Sequence, residues 1–237
     1  MGKNLIQQAR GKGGPTYRSP SFNFAGQPKH PSMSENTIIG TIKDIVHCPG
    51  HYSPLMIVKY EKEEVLGLAP DGIKVGDKIS CGNDAEIKAG NVLPLSQIPD
   101  GTLIHNVESM PGDGGKFARS SGNSARLISK YGNTARVMLP SKKEKMFMLG
   151  CRAAIGTPAG AGRVEKVLLR AGNSHYKWKA RNKLWPRSSA SKMNAVDHPF
   201  GNKRSLRKSK ARPCPRNAPP GRKVGMIAAR RTGRKKG

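Results

Sequence analysis

Charge is divided along this sequence in a way that argues against a single compact domain. Residues 116–237 hold 32 Lys and Arg against 3 acids, whereas residues 36–115 hold 6 against 11. Within the last stretch, residues 170–237 carry 21 basic side chains and a single acid, Asp197. A solvated face of an ordinary domain mixes signs. A one-sided run of this length is matched to phosphate, and a net charge of +28 on 237 residues predicts a polyanionic partner.

Composition limits the core that such a chain can build. Hydrophobic residues make up 35% and aromatic residues 5% of the sequence, too little for one large interior, so one or two small cores with tails are expected. Residues 1–35 and 170–237 are rich in Gly, Pro, Ser and Lys. Ordering the backbone costs on the order of 1–2 kcal/mol per residue, and these segments lack the apolar side chains to offset it. They are expected to order on a partner.

The middle of the chain reads as β structure. "TIIGTIKDIVHCPGHYSPLMIVKYEKEEVLGLAPDGIKVGDKISCG" (37–82) is a series of short β-branched runs broken by "PGHYSP", "APDG" and "CGND". That spacing predicts a small all-β barrel of OB-fold type over 36–84 rather than βαβ units. From 85 to 169, "DGTLIHNVES", a hairpin at Gly132-Asn133 and the alternation of Val137 and Leu139 predict a meander that curls into an SH3-like barrel. No helical pattern exceeds about ten residues. The expected fold class is mainly β: an OB-fold barrel, then an SH3-like barrel, with long irregular basic N- and C-terminal extensions.

Catalytic and metal readings find little support. "PGDGGKFA" (111–118) lacks the spacing of a nucleotide-binding loop, and Phe117 stands where a Ser or Thr would reach magnesium. It is expected instead to bring glycine backbone and Lys116 against RNA. "GTPAGAGR" (156–163) matches no dinucleotide fingerprint and reads as a close-approach loop carrying Arg163. His47, Cys48 and His51, with Cys81 elsewhere, form the one arguable metal set, but neighbours on an extended segment face opposite ways. The four cysteines are widely spaced and form no CxxC, so neither a zinc finger nor a disulfide framework is indicated. The opening "MGKNLIQQARGKGG" has no apolar signal region and no run is long enough to span a membrane. A cytoplasmic chain without cofactor, metal or membrane is the expectation. Asp197-His198 invites an acid/base reading, but no nucleophile or second carboxylate lies nearby in the sequence, and a local structural role is favoured.

Nucleic-acid chemistry, by contrast, is dense. "GGKFARSSGNSAR" places Lys116, Arg119 and Arg126 among Ser and Asn donors suited to phosphate and 2′-hydroxyl groups. "HYKWKARNKLWPR" (175–187) interleaves His175, Tyr176, Trp178 and Trp185 with Lys177, Lys179, Arg181, Lys183 and Arg187. Cations between aromatic platforms suit stacked single-stranded bases, although the tryptophans would serve equally as core anchors.

Four segments then carry a specific resemblance: "GNVLPLSQIPDGTLIHNVESMPGDGGKFARSSGNSARLI" (90–128), "CRAAIGTPAGAGRVEKVLLRAGNSHYKWKARNKLWPR" (151–187), "MNAVDHPFG" (193–201) and "NAPPGRKVGMIAARRTGRKKG" (217–237). In this order they resemble the universal large-subunit ribosomal protein numbered two, in its archaeal and eukaryotic form, and the short length is similar to the archaeal branch. The resemblance implies a structural ribosomal component rather than an enzyme. Implied partners are large-subunit (23S-like) rRNA, other large-subunit proteins and the small subunit through subunit association. It implies basic extensions running toward the peptidyl transferase region, where the family's histidine in an acid-His-Pro segment maps onto His198. Within the matched segments, RNA contacts are expected from Arg152, Arg163, Arg170, Met193, Asn194, Asp197, His198 and Phe200, and toward the end from Arg216, Arg222, Lys223, Arg230 and Arg231. The chain departs from the family in two places: Gly201-Asn202-Lys203 stands where a triple glycine is usual, and "SSASKMNA" (188–195) replaces a basic, glycine-containing lead.

Two other classes remain as alternatives. A free architectural RNA- or DNA-binding protein would share the charge but would meet duplex phosphate with the acidic 36–115 block as well. An RNA-modifying enzyme would need a cofactor site that the sequence does not offer.

Overall fold

The computed structural model describes residues 2–34, 36–202 and 212–231. The basic run 203–211, which includes Lys203 of the altered glycine segment, and the closing residues 232–237 lie outside the described residues. The fold is mainly β. Its strands are β1 (Ile38–Val46), β2 (Leu55–Lys59), β3 (Glu64–Leu68), β4 (Lys78–Cys81), β5 (Val92–Pro94), β6 (Leu103–His105), β7 (Ala125–Tyr131), β8 (Thr134–Met138), β9 (Glu144–Met148) and β10 (Arg152–Ile155). They form one hydrogen-bonded sheet in the order β3-β2-β1-β4-β5-β10-β6-β7-β8-β9. The helices are short: α1 (Ile6–Gly11) and α2 (Ala171–Lys179).

The chain divides into two units, one made of Ser21–Leu168 and the other of Met1–Pro20 with Leu169–Gly237. In the first unit, the sheet is built from hairpins whose alternation buries one face. Along β8, Ala135 and Val137 are buried while Arg136 is exposed, as a pleated strand with one wet face requires. The β7–β8 hairpin turns at Gly132-Asn133, with Tyr131 opposite Thr134. Gly132 has φ 53°, the left-handed sign that a two-residue hairpin turn needs at its first central position.

Two apolar centres lie along this sheet. One, under β1 to β4, joins Ile42, Met56, Val58, Tyr60, Ala69 and Ile79. The other, under β5 to β10, joins Leu93, Leu95, Ile98, Ile104, Leu127, Val137 and Phe147. Each fully buried side chain of this size contributes about 1.5–3 kcal/mol, and together they anchor the loops that the sheet projects. A small cluster of Cys81, Val92 and Ala154 joins the two halves where β4 meets β5 in the one parallel bridge between them. Residues 21–34, grouped with the N-terminal extension on composition, pack with this unit. The Lys29 N–H donates to the Leu66 carbonyl at 2.8 Å, so the segment runs along the outer edge of β3.

The second unit brings the two chain ends together. Leu5, which precedes α1, is buried, as are His198 and Val224. The Lys3 N–H donates to the Val196 carbonyl at 2.9 Å, and Asn182 Nδ2 donates to the Arg18 carbonyl at 2.8 Å. Gln8 caps α1 by accepting the Leu5 N–H through its side-chain oxygen at 2.8 Å. No residue of α2 is buried, and nine residues are too few for a helix to hold by propensity alone in water.

Candidate nucleic-acid interface

In the Ser21–Leu168 unit, loops 48–53, 119–123 and 158–163 converge. The Gly122 N–H donates to the Pro158 carbonyl at 2.9 Å, tying the second loop to the third. Arg163 lies with its guanidinium carbon 3.9 Å above the centre of the Tyr52 ring, and its Nε donates to Ser121 Oγ at 2.9 Å. Stacked on a ring and pinned at Nε, the guanidinium is a preoriented plane for phosphate or an unstacked base. Arg119 begins the second of these loops, and its two terminal nitrogens donate to the Gly115 and Pro28 carbonyls at 3.1 and 3.0 Å. Burial, with the Arg119 charge nearby, holds the His51 imidazole below its ordinary pKa. Tyr52 escaped the sequence reading because "HYSP" registers first as turn chemistry; its signal is an aromatic inside a loop close to cations.

The glycine-rich loop behaves differently from the expectation. Its backbone donors are already satisfied by carboxylates of the chain itself. Glu108 accepts the N–H groups of Gly112 and Gly114 at 3.1 and 3.2 Å. Asp113 accepts those of Ser109, Met110 and Gly115 at 3.0, 3.2 and 3.1 Å. Burial would raise the Asp113 pKa, but the Gly115 N–H, Lys116 and the remaining donors outweigh it and hold the carboxyl below its ordinary range. A loop whose N–H groups surround internal anions has no cradle left for phosphate. Lys116 keeps a surface position with its ammonium 3.2 Å from Asp113.

Arg152 is held inside the protein. It lies in a segment matched to the family, where an RNA contact is expected, and it is buried with its guanidinium directed inward. Its Nε and one terminal nitrogen donate to Glu108 at 3.1 and 2.8 Å, and the other terminal nitrogen donates to the Pro31 carbonyl at 2.7 Å. Glu108 also takes the Arg152 backbone N–H at 2.8 Å. Desolvation that would raise the Glu108 pKa is overcome by these Arg152 contacts, and the carboxyl is held below its ordinary value. Arg126, by contrast, is exposed on β7.

The second unit carries most of the other expected contacts. His175, Lys177, Trp178 and Lys179 lie on α2, where His175 meets Tyr176 and Trp185 edge-on at centroid distances of 5.4 and 6.2 Å. Trp178 and Trp185 are half-buried, intermediate between core anchors and open platforms, as are Lys177 and Arg181. Arg170, Lys183, Arg187, Arg216, Arg222, Lys223, Arg230 and Arg231 are exposed. In the 193–201 segment, Met193 and Phe200 are half-buried and Asn194 is exposed.

Asp197 and His198 engage different partners. Asp197 turns toward Lys3, 3.9 Å away. The Phe200 N–H donates to His198 Nδ1 at 3.1 Å, which leaves Nδ1 as acceptor and puts the ring proton on Nε2. Burial lowers the His198 pKa and keeps the ring neutral. Both backbone N–H groups of the pair donate to the Asn194 carbonyl, at 3.0 and 3.2 Å, and a turn results. Gly201 closes that turn so tightly that an added Cβ would collide with the Asn194 carbonyl, which accounts for glycine at this first position of the altered segment.

The arguable metal set is dispersed. His47 is exposed, Cys48 is buried with Leu55 and Leu68, His51 Nδ1 lies 3.2 Å from Cys48 Sγ, and Cys81 packs against Val92 and Ala154. No group of three or more candidate ligands gathers among the described residues.

Comparison with known proteins places these features in a lineage. A family model described as Ribosomal Proteins L2, C-terminal domain, matches residues 88–218. A Methanocella arvoryzae protein named Large ribosomal subunit protein uL2 is 50% identical over 235 residues, covering 98% of this chain and 99% of its own. Proteins of the same name from Methanococcoides burtonii and Haloarcula marismortui are 48% and 47% identical, each covering 99% of this chain and 100% and 98% of their own. With that match over more than half of the sequence and these relatives aligned along nearly all of it, the chain belongs to the L2 family of ribosomal proteins.

Proposed function

We propose that this chain is a structural constituent of the large ribosomal subunit in the cytoplasm, bound to 23S-like rRNA and to neighbouring large-subunit proteins. In this reading it stabilises the region near the peptidyl transferase centre, supports subunit association and has no catalytic activity of its own. One observation carries it: the sole acid in residues 170–237, Asp197, is already engaged by Lys3. With 21 basic side chains against that one acid, the sequence of the segment carries a large excess of positive charge, and phosphate is the anion that supplies counter-charge at this density. The Arg163–Tyr52 stack supports an RNA partner, because a guanidinium plane beside a phenol ring suits splayed bases better than duplex grooves. In the same reading 36–84 is an OB-type and 85–169 an SH3-type module, supported by the separate apolar centres on either side of Asp84.

The test is the salt dependence of binding to large-subunit rRNA. Neutralising roughly eight phosphates gives a slope of log K against log salt of about −7, and truncation after Arg170 removes several units of it. An unchanged slope after truncation refutes the assignment of that segment to RNA. Equal or tighter binding to duplex DNA at the same salt would favour a free architectural DNA-binding protein instead.

A further inference from the structure

The ten-stranded sheet has two ends, and the chain treats them differently. The outer edge of β3 is covered by the chain's own extended segment through the Lys29–Leu66 hydrogen bond and by Ser32, whose N–H donates to the Glu63 carboxylate at 2.7 Å. At the other end, β8 is the ladder partner of β9 and no strand follows among the described residues.

Hydrogen-bond parity shows what β9 leaves open. The Leu139 N–H donates to the Lys143 carbonyl at 2.9 Å, and the Leu149 N–H donates to the Asn133 carbonyl at 3.2 Å, bracketing the β8–β9 register. Backbone groups of an antiparallel strand alternate in direction, so 143, 145, 147 and 149 face β8 while 144, 146 and 148 face away. Glu144 and Met146 thus turn both N–H and C=O outward. Met148 turns out its N–H, and its carbonyl accepts from Cys151 at 3.0 Å.

The side chains beside this edge are those of a protein interface. Met146 and Met148 are each 51% exposed, and Tyr131, two strands in at the end of β7, is 85% exposed. Arg136 stands opposite Met146 in the ladder. Methionine, tyrosine and arginine are enriched where proteins meet, and half-exposed methionines offer nothing to phosphate. Charge selects the occupant. Lys142, Lys143 and Lys145 crowd the edge, and its one acid, Glu144, is paired with Arg136 at 3.6 Å. Two such edges repel each other, which opposes pairing between copies of this chain. An acidic strand is attracted.

We propose that β9 is a docking edge for an extended segment of another protein, acidic and apolar at alternate positions, which adds one strand to the sheet beyond β9. The inference rests on the geometry of the Ser21–Leu168 unit and not on the rRNA reading.

The test uses the full chain, a synthetic Glu-Val alternating hexapeptide, and a peptide of the same composition with its valines grouped. Amide resonances of residues 144–148 and binding are followed at salt high enough to screen unspecific attraction. The alternating peptide is expected to shift and protect the Met146 and Met148 amides and to bind at least tenfold more tightly than the grouped one. Met146→Pro deletes an outward N–H without touching the β8 ladder and should weaken the alternating peptide at least tenfold, with rRNA affinity unchanged within twofold. Met148→Pro deletes the other and serves if the first variant fails to fold. Equal binding of both peptides, indifference to both proline variants, or protection of the same amides by single-stranded rRNA fragments in place of peptide would overturn the proposal. Loss of rRNA binding in the unsubstituted chain would sink the ribosomal reading and leave this one standing.

Discussion

The guanidinium of Arg152 lies 2.8 Å from the carboxylate of Glu108, with the Glu108 side chain wholly out of solvent. A pair of this kind is costly to break from one side, because the survivor keeps its charge without water or partner. Arg152→Met is expected to destabilise the Ser21–Leu168 unit by about 3–5 kcal/mol, read from the midpoint of urea unfolding at unchanged m. Arg152→Met with Glu108→Gln should recover part of that loss. In either variant that folds, the salt slope of rRNA binding should stay as it is, since the Arg152 guanidinium is directed to Glu108 and the Pro31 carbonyl.

Acid should weaken the same unit before its carboxylates titrate. Burial, only partly offset by the Asn106 carbonyl, pushes the His30 pKa down from 6.5 to about 4, and burial does the same to His105 against the Gly156 carbonyl. Both bases bind protons more weakly folded than unfolded, so the unfolded state gains as pH falls. Stability is complete above about 6.5 and declines toward about 4, by up to ~1.4 kcal/mol per pH unit for each histidine. Urea midpoints measured from pH 7.5 to 4.5 check this, and His105→Gln should flatten the profile.

The Arg163–Tyr52 stack should matter for base contacts more than for charge. Tyr52→Leu is expected to weaken rRNA binding by about 1–3 kcal/mol with the salt slope preserved. Arg163→Gln should weaken binding and also lower the slope by about 1. Filter binding across a salt series separates the two outcomes.

In the second unit, Gly201→Ala drives a methyl group into the Asn194 carbonyl and should open the 194–201 turn. Faster hydrogen exchange of the His198 and Gly201 amides is the expected reading. His198→Ala removes the acceptor of the Phe200 N–H and should cost about 1–3 kcal/mol locally. His198→Asn, which can place an oxygen near the lost Nδ1, should cost less.

How far the sequence disclosed this depended on the range of the interactions. The Gly132-Asn133 hairpin and the β-rich reading of 37–82 were legible because turn chemistry and alternation act over a few residues. The inward pairing of Arg152 has no local signature: its partner Glu108 is 44 residues away, and a lone arginine beside Cys151 gives no sign of facing inward. The pairing of Lys3 with Asp197 spans nearly the whole chain and has no local signature. The internal partners of the glycine loop were not legible because glycines report that the backbone comes close to something, not to what.

That last loop gives the acids of a strongly cationic molecule an unexpected duty. Glu108 and Asp113 accept the N–H groups of Gly112, Gly114 and Gly115 from within the chain. Asp113→Ser should turn the loop into an anion trap, so that losing a negative charge here yields adhesion to stray nucleic acid rather than a loss of function. The wild-type loop, whose N–H groups already meet its own carboxylates, should bind such nucleic acid less.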